Sequence, residues 1–302
     1  MTSITAASFN DYISRLSSRM KESGQFGTAR NYTRAKDSFT RFLKSSQNDN
    51  AEVNESLICA YSDYLLGLGL TRNTKSFYMR ILRSAYNKAV SEGLAGQTAP
   101  FRKVYTGVDT TRKRALDEKT IRKLLNLDLR KDKDSELARD LFAFSYFARG
   151  MAFVDLAFLK KKDVDGGAVN YIRKKTGQRM SVKSEPCIQK IVSKYYNAPG
   201  NYLFPLLNSD DPQKAYSEYE RTLSWYNRKL RSLAARAGIH TGLTSYVARH
   251  SWATSARNHR ISLSVISAGM GHTSEKTTRI YLASIENSEI DKANRKVLAA
   301  FK

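Results

Sequence analysis

Near the end of a 302-residue chain stand three side chains whose types suit work on a phosphodiester: Arg249, His272 and Tyr281. The histidine follows the arginine by 23 residues and the tyrosine follows the histidine by 9, in the stretches SYVARHSWAT and GMGHTSEKTTRIYLA. A phosphodiester resists attack because its two non-bridging oxygens carry charge that must be held as the transition state forms. A guanidinium is planar, permanently charged and able to bind both oxygens at once. Imidazole adds a hydrogen bond to the same phosphate. A phenol is a fitting nucleophile, because its phosphate ester is a good leaving group in a return step and bond energy is kept without ATP. Taken singly, each residue has an ordinary structural use as a solvated helix charge, a loop histidine or half-buried packing. The spacing sets them apart, with Gly-His closing a tight Gly269-Met270-Gly271 turn ahead of a Thr-Thr-Arg-Ile-Tyr run.

Arg249-His250-Ser251-Trp252-Ala253-Thr254 resembles the second box of the tyrosine recombinase (phage integrase) family, and Gly271-His272 followed by Tyr281 resembles its third. The likeness extends over nearly the whole chain. It implies that Arg149 is the family's first arginine, with Asp155 as the acidic residue after it and Leu159 beyond, across a segment 150–154 that is longer than in most members. It also implies that Lys175, just before Thr176-Gly177, is the acid that protonates the departing 5′-hydroxyl. Arg149 and Arg249 would then clamp the phosphate, His272 would bond to it, and Tyr281 would form a 3′-phosphotyrosyl intermediate, with no metal and no cofactor. Three residues before the second arginine, where most members have histidine or lysine, this chain has Tyr246. A phenol, ordinarily titrating near pH 10, is a donor and a poor base at neutral pH. Asp155, His250 and the phosphate environment stand as alternatives for a base. Tyr246 is similar to what occurs in the subgroup carried by mobile or invertible elements of gut anaerobes.

The resemblance therefore implies a site-specific recombinase of the integrase or invertase type. It would act on double-stranded DNA target sites as a homotetramer on two duplexes, with a host DNA-bending protein as accessory partner and no membrane. Two rivals share parts of this description: a type IB topoisomerase, with the same chemistry and no pairwise synapsis, and a catalytically silent DNA-binding protein.

The elements that must position these groups follow from periodicity. From Ala6 to about Leu94 apolar residues recur at helical spacing. Phe9, Tyr12, Ile13, Leu16 and Met20 mark a first helix, broken at Gly24 and Gly27, and Tyr32, Ala35, Phe39, Phe42 and Leu43 mark a second with Thr28 as its N-cap. Val53 to Leu68 reads as a third, and Thr74 to Val90 as a fourth closed by Gly93. Residues 1–95 are thus a four-helix unit. Arg30 and Arg34 on its second helix, and Arg72, Lys75, Arg80 and Arg83 on its fourth, lie off the apolar stripe and fit a phosphate-gripping surface. The resemblance makes this unit the family's core-binding domain, a DNA clamp.

Over 96–114 the pattern lapses at Thr98-Ala99-Pro100 and ends in Arg112-Lys113-Arg114, which reads as a basic linker crossing DNA. A second domain, 115–302, opens with Asp117 as cap, Glu118 at the positive helix end and a Leu116–Ile121 staple. The apolar helix Glu136 to Ala148 delivers Arg149, and Val169 to Val182 alternates about Thr176-Gly177 as a hairpin. Helices are expected over 188–196, 217–237, 245–257 and 262–268. Ile285, Ile290, Val297, Leu298 and Phe301 form an apolar tail that either folds back on its own domain or, as the resemblance implies, reaches a neighbouring protomer. The fold class expected is mainly α (α+β): a helical N-terminal domain and a mostly helical catalytic domain with a small antiparallel sheet.

Composition agrees with a polyanion as partner. Lys and Arg number 51 against 28 Asp and Glu, a net charge of +23. Both halves are basic, with 15 basic against 9 acidic residues up to Thr111 and 36 against 19 beyond it. Nucleic acid comes ahead of membrane because no amphipathic basic anchor or long apolar run accompanies the charge. Cys59 and Cys187 lack any metal or disulfide pattern and read as core residues in a reducing compartment. The opening MTSITAASFN lacks a basic and an apolar signal region, so a cytoplasmic protein is expected.

Overall fold

The computed structural model describes residues 3–109, 114–279, 282, 294–295 and 297–299. The chain divides into two compact units, Met1–Thr111 and Arg112–Lys302.

The first unit is built from α1 (Ala6–Glu22), α2 (Phe26–Ser46), α3 (Glu55–Gly67) and α4 (Arg72–Ser91). Thr5, Asn54 and Thr71 start α1, α3 and α4 by accepting from the amides of Ser8, Leu57 and Thr74, which satisfies donors the helix leaves open. Thr28 is not the N-cap of α2. The chain already turns at Gly24 (φ +74°), so the helix restarts at Phe26 and Gly27 lies inside it. Phe9, Phe39, Phe42, Tyr61, Leu82 and Tyr86 lie in the core, with Phe39 and Tyr61 edge-on at 5.1 Å.

Residues 96–109, linker-like in composition, are bound to this unit. Phe101 is buried in its core, and the Tyr86 hydroxyl donates to the Gly96 carbonyl at 2.8 Å. Asn73 donates to the Asp109 carbonyl (3.1 Å) and accepts from the Asp109 amide (2.8 Å), while Ser76 donates to the Gly107 carbonyl. Few of these contacts are visible in composition, because the hydrogen bonds pair the segment's backbone with single polar groups of α4, among them the buried Ser76 and Tyr86.

The second unit runs α5 (Glu118–Leu125), α6 (Lys133–Phe147), α7 (Phe153–Ala157), a sheet, α8 (Pro186–Tyr196), α9 (Pro212–Arg236), α10 (Val247–Asn258) and α11 (Leu263–Gly269). The sheet is antiparallel in the order β1 (Val164–Asp165), β2 (Ala168–Ile172), β3 (Arg179–Lys183), with Val169 opposite Val182 and Tyr171 opposite Met180. Asp117 accepts from the Thr120 amide at 2.6 Å, and Leu116 and Ile121 are both buried. α6 is the central helix: Leu141, Phe142 and Phe144 are fully enclosed, and α8, α9 and α10 pack around it. α9 begins at Pro212, ahead of the expected Ser217, because Asp211 caps it and proline suits the first helical position. α7 and β1 were not expected from the sequence. In the tail, Val297 and Leu298 are exposed, and Ile285, Ile290 and Phe301 lie outside the described residues. Among the described residues no helix is long and apolar enough to cross a membrane.

Candidate active site

Arg249 projects from the first turn of α10 and is only 4% exposed. Its Nη1 donates to the Gly150 carbonyl at 2.7 Å; its Nη2 donates to the Met270 carbonyl at 2.6 Å and to His272 Nε2 at 3.1 Å. An arginine can only donate, so Nε2 is the acceptor, and Nδ1 carries the proton that it gives to Thr278 Oγ1 at 2.7 Å. Burial, then the charges of Arg249, Arg173 and Lys175, push the imidazole from 6.5 down to about 4, so it is neutral near pH 7. Thr278 is fully buried within the helical stretch 275–279.

The Gly-His pair has a backbone reason. α11 ends with the amide of Gly271 on the Ala268 carbonyl (2.9 Å) and the amide of His272 on the Ser267 carbonyl (3.0 Å), the paired bonds of a Schellman motif. That motif needs a left-handed residue, and Gly271 has φ +64°. The histidine thrown back by the turn meets Arg249.

Arg149 follows α6 at φ +57° and Gly150 at φ +71°, two consecutive left-handed residues that turn the chain against α10. A Cβ on Gly150 would lie 2.8 Å from the Arg249 Cα, so glycine lets the end of α6 and the start of α10 touch. Arg149 Nη1 lies 3.4 Å from the Ser181 carbonyl on β3, at the edge of hydrogen bonding. Lys175 sits exposed on the hairpin, in a turn closed by the amides of Thr176 and Gly177 on the Arg173 carbonyl (3.3 and 2.8 Å). Arg149, Lys175, Arg249 and His272 are therefore gathered about one place. Tyr246 immediately precedes α10, is 53% exposed, and has its ring 6.0 Å from that of His250. Tyr281 lies outside the described residues.

Arg173, Ser251 and Thr278 were not singled out as site residues, and Asp155 was named only as the acidic residue after Arg149 and a candidate base. Asp155, on α7, is buried, and its Oδ1 accepts from the Lys174 amide at 2.7 Å. Burial lifts its carboxyl above the usual carboxylate range, against the pull of that amide and of Arg173 and Arg249. Arg173 is 6% exposed and donates through Nη1 to the Gly271 carbonyl. The strand alternation carries its signal, since Val169, Tyr171 and Arg173 share one face of β2 and its extension. Ser251, fully buried, accepts from the Leu116 amide (2.9 Å) and donates to the Val247 carbonyl (2.8 Å). Thr278 had no signal of its own.

The basic residues of the first unit are partly engaged. Arg72 lies 3.8 Å over the Tyr105 ring and 3.5 Å from the Asp109 carboxylate; Arg83 donates to Thr106 at 2.9 Å. Arg80 Nε reaches the Ser76 carbonyl of its own helix at 3.4 Å. Arg34 is exposed, and Arg30 and Lys75 are half-buried. In the second unit Arg114 is exposed, and Arg112 and Lys113 lie outside the described residues.

Cations in this number, crowded about a neutral imidazole, suit a substrate that supplies negative charge and make the second unit one that works on phosphate esters. Comparison with known proteins agrees. The Phage integrase SAM-like domain matches residues 8–104, and the Phage integrase family matches residues 114–288. The chain belongs to that family, the tyrosine recombinases, enzymes that cleave and rejoin DNA at specific sites. Tyrosine recombinase XerD of Shewanella oneidensis is 26% identical over 253 residues, 80% of this chain and 81% of the relative. Among solved structures, a lambda integrase tetramer bound to a Holliday junction matches with a TM-score of 0.68 and 15% identity, covering 92% of this chain and 77% of that one. XerH bound to palindromic difH substrate, a post-cleavage complex, matches with a TM-score of 0.64 and 16% identity, covering 92% and 84%. These structures share the fold.

Proposed function

We propose that Arg149 and Arg249 hold the scissile phosphate of a target duplex while the Tyr281 hydroxyl attacks phosphorus. A phosphotyrosyl bond forms to the 3′ side as the phenolic proton leaves to the phosphate environment and water, the bond to the 5′ oxygen breaks, and Lys175 gives that oxygen its proton. The observation that carries this reading is the Arg249–His272 contact of 3.1 Å, made where the end of α6 and the hairpin converge. His272 accepts from Arg249 and so cannot at the same time donate through Nε2. Burial first, and then the neighbouring cations, hold the imidazole neutral; an anionic phosphate offsets the cations and favours a protonated ring, in which Nε2 is a donor to a non-bridging oxygen. Asp155 is committed to the Lys174 amide, which supports a role in placing the hairpin rather than in proton transfer.

Double-stranded DNA is the partner this reading requires, and the cytoplasm the compartment. Arg30, Arg34, Lys75 and Arg80, with Arg112, Lys113 and Arg114, are proposed to contact its phosphates; Arg72 and Arg83 join them after exchanging their present partners. The lambda integrase neighbour is a tetramer on a Holliday junction, and the same assembly on two duplexes is proposed here, with the apolar tail as the contact between protomers. Carriage by a mobile or invertible element belongs to the same proposal, through Tyr246.

The test is a nicked target duplex in EDTA, whose short 5′-hydroxyl fragment diffuses away after cleavage. A covalent adduct should accumulate, with the 3′-phosphate mapped by peptide analysis to Tyr281, and Tyr281→Phe should bind the duplex and give none. An adduct persisting in Tyr281→Phe moves the nucleophile elsewhere, and a need for magnesium removes the mechanism.

A further inference from the structure

We propose that Arg173 is a positioning residue: it locks the hairpin that carries Lys175 onto the Gly271–His272 turn. The proposal rests on the reading of Lys175 as the acid.

Arg173 serves two structures at once. Its backbone closes the hairpin turn, with its amide on the Gln178 carbonyl (2.8 Å) and its carbonyl accepting from Thr176 and Gly177. Its side chain leaves the hairpin and donates to the carbonyl of Gly271, 98 residues away in the chain. A guanidinium held at 6% exposure loses much of its hydration, and its Nε has no hydrogen-bond partner among the described residues. An exposed arginine at a hairpin tip would avoid that cost. Keeping it inside requires a compensating partner: the Gly271 carbonyl accepts from it, and the Asp155 carboxylate is near enough to attract it.

The contact is also tight. A Cβ on Gly271 would lie 2.8 Å from Met180 Sδ, 3.2 Å from Arg173 Cδ and 3.3 Å from Gln178 Oε1, so the hairpin rests directly on this glycine. Asp155 grips the next residue, taking the Lys174 amide at 2.7 Å. The chain just before Lys175 is thus pinned from two sides, by α7 and by the histidine turn. A short two-stranded tip held only by its own turn would swing; this one carries its lysine in register with His272.

A double-mutant cycle on single-turnover cleavage tests this. Arg173→Met should bind DNA as the wild type does and cleave more slowly by on the order of 10²-fold, the contribution of a misplaced general acid. Arg173→Met combined with Lys175→Ala should be no slower than Lys175→Ala alone, because the first change acts through the second residue. A substrate with a 5′-bridging sulfur, whose leaving group needs no proton, should restore both single variants. Losses that multiply in the double variant, or an Arg173→Met loss that sulfur does not restore, overturn the proposal and put Arg173 on the phosphate or in the core alone. If Lys175→Ala itself is not restored by sulfur, the acid has been misassigned, and that failure is separate. Melting followed by circular dichroism checks folding; should Arg173→Met not fold, Arg173→Lys, which keeps the buried charge, is put through the same cycle with the same criteria.

Discussion

His272 is the residue whose environment makes the sharpest claim. It is held neutral, with a pKa near 4 in place of 6.5. Between those values the unfolded chain binds a proton that the folded site refuses, so stability is fully present above about pH 6.5 and falls as the pH drops toward 4. Against a His272→Gln variant, the wild type should therefore lose melting temperature over that window, and the imidazole C2 proton should titrate near 4 by NMR. A midpoint near 6.5 would mean that the ring is neither buried nor crowded by the three cations. At Tyr246, whose side chain is more than half exposed, a single neutral hydrogen bond is worth about 1 kcal/mol. Tyr246→Phe should slow single-turnover cleavage about fivefold, whereas Arg249→Lys, which loses the fork spanning the Gly150 and Met270 carbonyls and His272, should cost on the order of 10²-fold. Equal losses would refute that ranking.

At the scale of elements, Ser251 sews the entry of α5 to α10, the helix that carries Arg249. Ser251→Ala leaves the buried Leu116 amide without a partner, a loss of about 1–3 kcal/mol, and should lower the melting temperature measured by calorimetry. An unchanged transition would show that water reaches that amide. The elements also show what the sequence discloses. The cap at Asp117, the staple of Leu116 and Ile121 and the hairpin about Thr176-Gly177 are local patterns, complete within a few residues, and the structure has them where they were expected. Gly271-His272 could be read as a motif, and its geometry turns out to be a helix ending. Strand alternation marks Arg173 as facing inward but not what it meets, and Ser251 has no such mark; both acquire their partners only when distant segments meet, Arg173 with Gly271 and Ser251 with Leu116. Thr278 reaches the ring of His272 from six residues on, through a turn that residue types alone do not show. Thr28 is no cap because Gly24 alone makes the turn, and Gly27, read with it as a breaker, lies inside α2. The five-residue α7 is too short for periodicity to register.

For the whole molecule, a net charge of +23 makes association with DNA a matter of ion release. If 6 to 10 phosphates are neutralised, affinity should fall by about 10³-fold or more between 50 and 200 mM salt, measured by fluorescence anisotropy, and a flat response would contradict a phosphate-led interface. The same enzyme also works against its own durability. Arg149 occupies a left-handed backbone conformation (φ +57°) that a side chain with a Cβ resists by about 1 kcal/mol. Arg149→Gly should relieve that strain and melt higher while cleaving nothing. A search for heat-resistant variants scored by melting alone would therefore select against recombination at this position, and any such library of this protein has to be screened for strand cleavage at the same time.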